Sequence, residues 1–75
     1  MPPVLPLLSG RELAAVFAEF GWRIIRQRGS HIIMIKAGEM ASLSIPDHKE
    51  VARGTLRSLL RSAGLTVEAF VAAIR

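Results

Sequence analysis

Apolar positions along the 75-residue chain recur first at helical spacing, then at strand spacing, then at helical spacing again. Leu13, Val16, Phe17 and Phe20 fall three or four residues apart, the pattern of a helix with one buried stripe. In front of them, Ser9-Gly10-Arg11-Glu12 is a capping-box pattern: the Ser9 hydroxyl can accept a backbone N–H while Glu12 reaches back to the cap. Gly21 can end this helix in the left-handed conformation without Cβ strain. From Trp22 the period shortens. Trp22-Arg23-Ile24-Ile25-Arg26-Gln27 reads as a strand with Trp22 and Ile24 facing inward and Arg23 and Ile25 outward. Arg28-Gly29-Ser30 supplies a turn, and residues 31–36 make a β-branched second strand. In residues 40–45 Ala41, Leu43 and Ile45 alternate with Ser42 and Ser44, as on a half-buried sheet face. Pro46 has no N–H to donate and ends that ladder.

Residues 47–52 are a polar connection. A second long helix starts near Arg53, with Leu56, Leu59, Leu60 and Ala63 on its apolar side and Gly64 at its end. Thr66 then caps a short last helix through Ile74, and Leu65 can staple against Phe70 across that cap. The order is helix, three-strand meander, helix, short helix. This predicts an α+β domain whose three-stranded antiparallel sheet carries its helices on one face, leaving Arg23, Ile25 and alternate residues of the other strands on the opposite face. No repeat, low-complexity tract or linker interrupts it.

Composition narrows the function classes. An apolar content of 51% is too high for a disordered chain. A domain this small buries only about 60% of its unfolded surface, which leaves room for a partner to add stability. There is no cysteine, hence no disulfide framework, no thiolate metal site and no cysteine nucleophile. Two histidines without an HExxH pattern are a partial ligand set, so no metal is expected, and no glycine-rich phosphate motif points to a nucleotide cofactor. Residues 1–8 hold three prolines and no basic segment, so they read as a short lead-in rather than a signal peptide. No run approaches the ~20 apolar residues of a membrane helix. The expected location is cytoplasmic. The net charge of +4 comes mostly from arginine, whose planar fork suits phosphate and so favours a polyanionic partner.

Candidate chemistry gathers around two histidines. His31 follows a Gly-Ser turn at a strand start, where a side chain projects from a firmly held backbone and can take or give a proton near neutrality. A lone histidine at a strand start is ordinarily a solvated surface residue, so the position alone does not assign catalysis. His48 lies between Asp47 and Lys49 and is a candidate second acid/base, since RNA strand cleavage moves two protons. Arg53, Arg57 and Arg61, four apart, make a helix-face row that can track phosphates or simply be solvated. Arg23, Arg26 and Arg28 flank the Gly-Ser-His turn and can hold phosphate and stabilise transition-state charge.

These residues fall into blocks that resemble a known family. Arg26-Gln27-Arg28-Gly29-Ser30-His31, Ile45-Pro46-Asp47-His48-Lys49, Gly54-Thr55-Leu56-Arg57-Ser58-Leu59-Leu60 and Ala63-Gly64-Leu65 are similar in order and spacing to the HicA family. Leu8-Ser9-Gly10-Arg11-Glu12 and Phe20-Gly21-Trp22 are similar too. HicA proteins are mRNA interferase toxins of type II toxin–antitoxin systems. The resemblance implies one toxin domain over residues 1–75 with a double-stranded-RNA-binding-domain-like fold, α-β-β-β-α with a short C-terminal helix. It implies metal-independent endoribonuclease activity on mRNA, and silencing by a HicB-like antitoxin. The family's catalytic histidine maps onto His31 through Gly29 and Ser30. Its Pro-x-His element is matched by Pro46 and His48, with no role assigned. Contacts to RNA are expected from Arg23, Arg26, Arg28, Ser30, Lys49, Arg53, Arg57 and Arg61. Two departures stand out: Ile32-Ile33 replaces an aromatic or second histidine of many relatives, and Arg53 replaces a frequent proline. Two other readings remain at this point. One is a non-catalytic RNA-binding module of the same fold, and the other is a protein-interaction domain with a basic face.

Overall fold

In the computed structural model the described residues are 4–74, so the first three residues of the expected lead-in, and Arg75, lie outside them. The first helix, α1 (Gly10–Ala18), starts where the capping box predicts. Ser9 Oγ accepts the Glu12 N–H at 3.0 Å and Glu12 Oε1 accepts the Ser9 N–H at 2.9 Å. The Ser9 backbone N–H first, and the Ser9 side chain second, hold the Glu12 carboxyl below its ordinary pKa. Leu13, Ala14, Val16 and Phe17 form the buried stripe, while Phe20 lies past the helix end and is partly buried.

Three strands follow: β1 (Arg23–Arg28), β2 (His31–Ile35) and β3 (Leu43–Pro46), antiparallel and in the order β1-β2-β3. Arg28 pairs with His31, so the β1–β2 loop is just Gly29 and Ser30. Gly29 has φ +60° and Ser30, like every other non-glycine among the described residues, does not have positive φ, which is the type II′ hairpin geometry. Helices α2 (Arg53–Ala63) and α3 (Val67–Ala73) complete the chain. Gly64 ends α2 at φ +71°, and Thr66 Oγ1 caps α3 by accepting the Ala69 N–H at 3.0 Å.

The core lies between one sheet face and the helices. Ile32, Met34, Leu43 and Ile45 supply the sheet side, meeting Leu13 and Phe17 from α1, Leu56 and Leu60 from α2, and Phe70 from α3. Phe17 and Phe70 stack at 5.4 Å between ring centroids, tilted by 48°. Trp22 is buried at the α1–β1 junction, and its indole N–H meets no acceptor among the described residues. The arrangement is the α+β order expected, with helices gathered on one sheet face.

Three local expectations need correction. Ile24 does not turn into the core but is 57% exposed, because β1 is an edge strand with no further strand beyond it among the described residues. Every β1 residue is exposed. Ala41 is also exposed, since β3 starts only at Leu43. The supposed lead-in is structural from Leu5 onward: Leu5 is fully buried, and Leu8 bridges Val51 through a 2.8 Å N–H···O bond.

Candidate functional site

The sheet face turned away from the helices is the surface on which the sequence-nominated residues meet. Directly opposed residues of an antiparallel pair share a face. Arg28 opposes His31, Arg26 opposes Ile33 and Arg23 opposes Ile35, while Ile32 and Met34 point into the core. On β3, Pro46 and Ser44 continue this open face opposite His31 and Ile33. The face therefore holds three arginines, one histidine and no carboxylate at its paired strand positions. His31 and all three arginines are exposed. The His31 imidazole makes no hydrogen bond among the described residues and is free to meet a ligand.

Two loops are tied together beside His31. The Asp47 N–H donates to the Ser30 carbonyl at 2.7 Å, extending the β2–β3 pairing past its last residue. This joins the Gly-Ser-His turn to the Pro-x-His segment, and His48 follows two residues after Pro46, the strand partner of His31. His48 and Lys49 are exposed. The His48 carbonyl accepts the Gly10 N–H at 2.9 Å, so the start of α1 holds this segment in place. A Cβ on Gly10 would lie 2.0 Å from the Pro46 carbonyl oxygen, an approach that only glycine permits.

Asp47 is the residue that sequence reasoning missed. Its carboxylate accepts from Gln27 Nε2 at 3.0 Å and from Arg11 Nε at 3.4 Å, linking β1, α1 and the end of β3. The Gln27 amide first, and the Arg11 guanidinium second, hold this carboxyl below its ordinary pKa against a smaller opposing effect of desolvation. Arg11 itself is largely exposed, so its ion pair with Asp47 adds little stability. An acidic residue between Pro46 and a histidine was visible in the sequence; its partners, 20 and 36 residues away, were not.

The α2 arginines stand apart from this cluster. α2 packs on β3 and α3, at the end of the sheet remote from β1. Arg53 Nε donates to the Leu5 carbonyl at 2.5 Å and Arg61 Nη2 to Ser58 Oγ at 3.2 Å. Arg57 is exposed. Among the described residues no three His, Asp or Glu side chains cluster as a metal ligand set, and no helix is long and apolar enough to cross a membrane.

Comparison with known proteins puts this arrangement in context. Residues 10–65 match the family model for the HicA toxin of bacterial toxin–antitoxin systems. Among solved structures, a chain of a toxin–antitoxin complex from Streptococcus pneumoniae superposes with a TM-score of 0.69 and is 34% identical, with 77% of this chain and 98% of that one covered. No curated protein matches the chain significantly.

Proposed function

Since this chain belongs to the HicA toxin family, we propose that it is the RNA-cleaving member of a toxin–antitoxin pair, with His31 moving protons at the scissile phosphate of mRNA. The observation that carries the reading is an exposed His31, unpartnered among the described residues, on a face with no carboxylate at its paired strand positions, beside Arg28 and in line with two further arginines. In the reaction the ribose 2′-oxygen attacks phosphorus and the bond to the 5′-oxygen breaks, leaving a 2′,3′-cyclic phosphate and a free 5′-hydroxyl. One proton leaves the 2′-OH and another reaches the departing oxygen. His31 takes the first in its neutral form, or gives the second in its charged form. His48 is the candidate for the complementary transfer, because the Ser30–Asp47 bond holds its segment against the His31 turn. Arginine on the open face stabilises the charge that builds on the phosphoryl oxygens.

The scheme assigns no step to a metal or cofactor. Its partner is a HicB-like antitoxin in the cytoplasm, and a face this basic favours an acidic inhibitor surface that also covers the site. The family match and the likeness to a chain of a toxin–antitoxin complex support such a partner.

The test compares wild type with His31→Ala on an mRNA transcript in excess EDTA. General acid–base catalysis contributes about 10²–10⁴-fold, so the variant is expected to lose at least that lower factor while keeping its circular dichroism. Undiminished cleavage by the variant overturns the role of His31. Wild-type activity lost in EDTA and restored by a divalent ion overturns metal independence. Salt-sensitive binding with RNA left intact by the wild type identifies a non-catalytic RNA-binding module instead.

A further inference from the structure

β1 departs once from strict alternation, and that departure decides where its arginines stand. In a regular strand Arg23, Ile25 and Gln27 would share one face and Ile24, Arg26 and Arg28 the other. The observed register pairs Ile24 with Met34 and then Arg26 with Ile33, leaving Ile25 as an extra residue in a β-bulge. Arg23, Arg26 and Arg28 consequently all oppose open-face residues of β2, namely Ile35, Ile33 and His31. Ile24 and Gln27 fall on the other side with Met34 and Ile32.

We propose that the bulge at Ile25 keeps Arg23 in line with Arg26, Arg28 and His31, and that this line is the track by which one RNA strand is led to His31. The proposal rests on the reading of the chain as an RNA-cleaving toxin and specifies where its substrate runs. Four strand steps on β2, from Ile35 to His31, measure about 13 Å at the usual rise of roughly 3.3 Å per residue. The row is one side chain wide, which suits a single backbone.

Its floor is made by half-buried Ile33 and Ile35, with no Phe, Tyr or Trp at the paired positions of the face. Such a track grips phosphates without stacking bases, so it positions RNA but does not read its sequence. The α2 row is the weaker competitor. Arg53 already bonds the Leu5 carbonyl, Arg61 bonds Ser58, and α2 lies on the β3 side of the sheet.

The experiment measures binding of a short fluorescent single-stranded RNA, and of its duplex form, against salt concentration in the His31→Ala background. Each phosphate contact contributes about 0.7 to the slope of log affinity on log salt for single strands. Arg23→Ala, Arg26→Ala and Arg28→Ala are each expected to reduce the slope by about that amount, and Arg57→Ala to leave it unchanged. Ile33→Arg adds a charge to the track and should steepen the slope, whereas Ile24→Arg, on the other face, should not.

Deletion of Ile25 should leave the slope as it is, because removing the extra residue restores plain alternation with the same three arginines outward. A slope that rises on deletion would mean that Arg23 stands off the face in the wild type, and overturns the proposal. So does a loss confined to Arg57→Ala. If the deletion does not fold, the Ile24→Arg and Ile33→Arg pair decides alone. Duplex affinity equal to or above that of the single strand at the same salt overturns the single-strand assignment. Wild-type cleavage of unlabelled RNA is scored separately: cleavage with unmoved slopes defeats only the track, and moved slopes without cleavage defeat only the nuclease reading.

Discussion

Replacing Gly10 by alanine and replacing Gly54 by alanine are the same chemical change with opposite expected signs. Both glycines occupy the first turn of a helix, and Gly→Ala in a helix ordinarily gains about 0.5–1 kcal/mol from propensity and a less flexible unfolded chain. At Gly54 nothing lies within 4 Å of the new Cβ, so that gain is expected almost undiminished. At Gly10 the Cβ would sit 2.0 Å from the Pro46 carbonyl oxygen and 2.9 Å from its carbon, both backbone atoms that cannot rotate away. Reaching ordinary contact near 3.4 Å opens the α1–β3 junction by about 1.4 Å. Such a shift carries the 2.9 Å Gly10–His48 bond out of range, a loss of about 1 kcal/mol. Overpacking strain adds about 1–3 kcal/mol. The strain and the lost bond outweigh the propensity gain, leaving Gly10→Ala destabilised by about 1–3 kcal/mol. Thermal unfolding followed by circular dichroism should show a Tm lower by roughly 5–20 °C, at 4–8 °C per kcal/mol for a domain of this size. Gly54→Ala should melt at or above wild type. A Gly10→Ala protein as stable as wild type would refute the close approach, and with it the idea that α1 holds the Pro46–His48 segment in place.

Other outcomes follow from the same contacts. Asp47 has a folded pKa below its ordinary value of 3.8, so its contribution is complete above the carboxylate range and is lost as pH falls through the depressed value. Tm measured from neutral pH into acid should therefore fall less steeply in Asp47→Asn than in wild type, and an unchanged acid limb would count against the Gln27 and Arg11 bonds. Ser9→Ala removes the α1 cap and should cost about 1 kcal/mol in urea unfolding. Phe70→Ala empties a fully buried site against Phe17 and should cost about 3–5 kcal/mol, seen as a large drop in the urea midpoint.

Helix positions were readable from residue chemistry acting over one turn. Ser9 with Glu12, the leucines of α2 with Gly64, and Thr66 all act on neighbours in sequence, and each appears in the structure in that role. The facing of β1 is not legible locally, because it depends on neighbours in space. Nothing in Arg23-Ile24-Ile25-Arg26 marks a bulge, since no glycine stands there, and whether Ile24 is covered depends on β1 being an edge of the sheet. His31 and Pro-Asp-His could be nominated separately, but the Ser30–Asp47 bond that unites them spans 17 residues. Gly10 passed for part of a cap. Its need for glycine arises from Pro46, which local pattern cannot bring near.

Trp22 makes the molecule its own optical reporter. It is the single tryptophan, and the chain has no tyrosine, so near-ultraviolet emission arises essentially from one indole. That indole is 2% exposed, has an N–H with no acceptor among the described residues, and immediately precedes Arg23 at the root of β1. In the folded state its emission should lie toward the blue, and water reaching the N–H on unfolding should shift it to the red. Loss of core packing and strain at the base of the edge strand can thus be followed on the unmodified chain, at low concentration and on the stopped-flow timescale, without attaching a dye to the surface where a ligand would land.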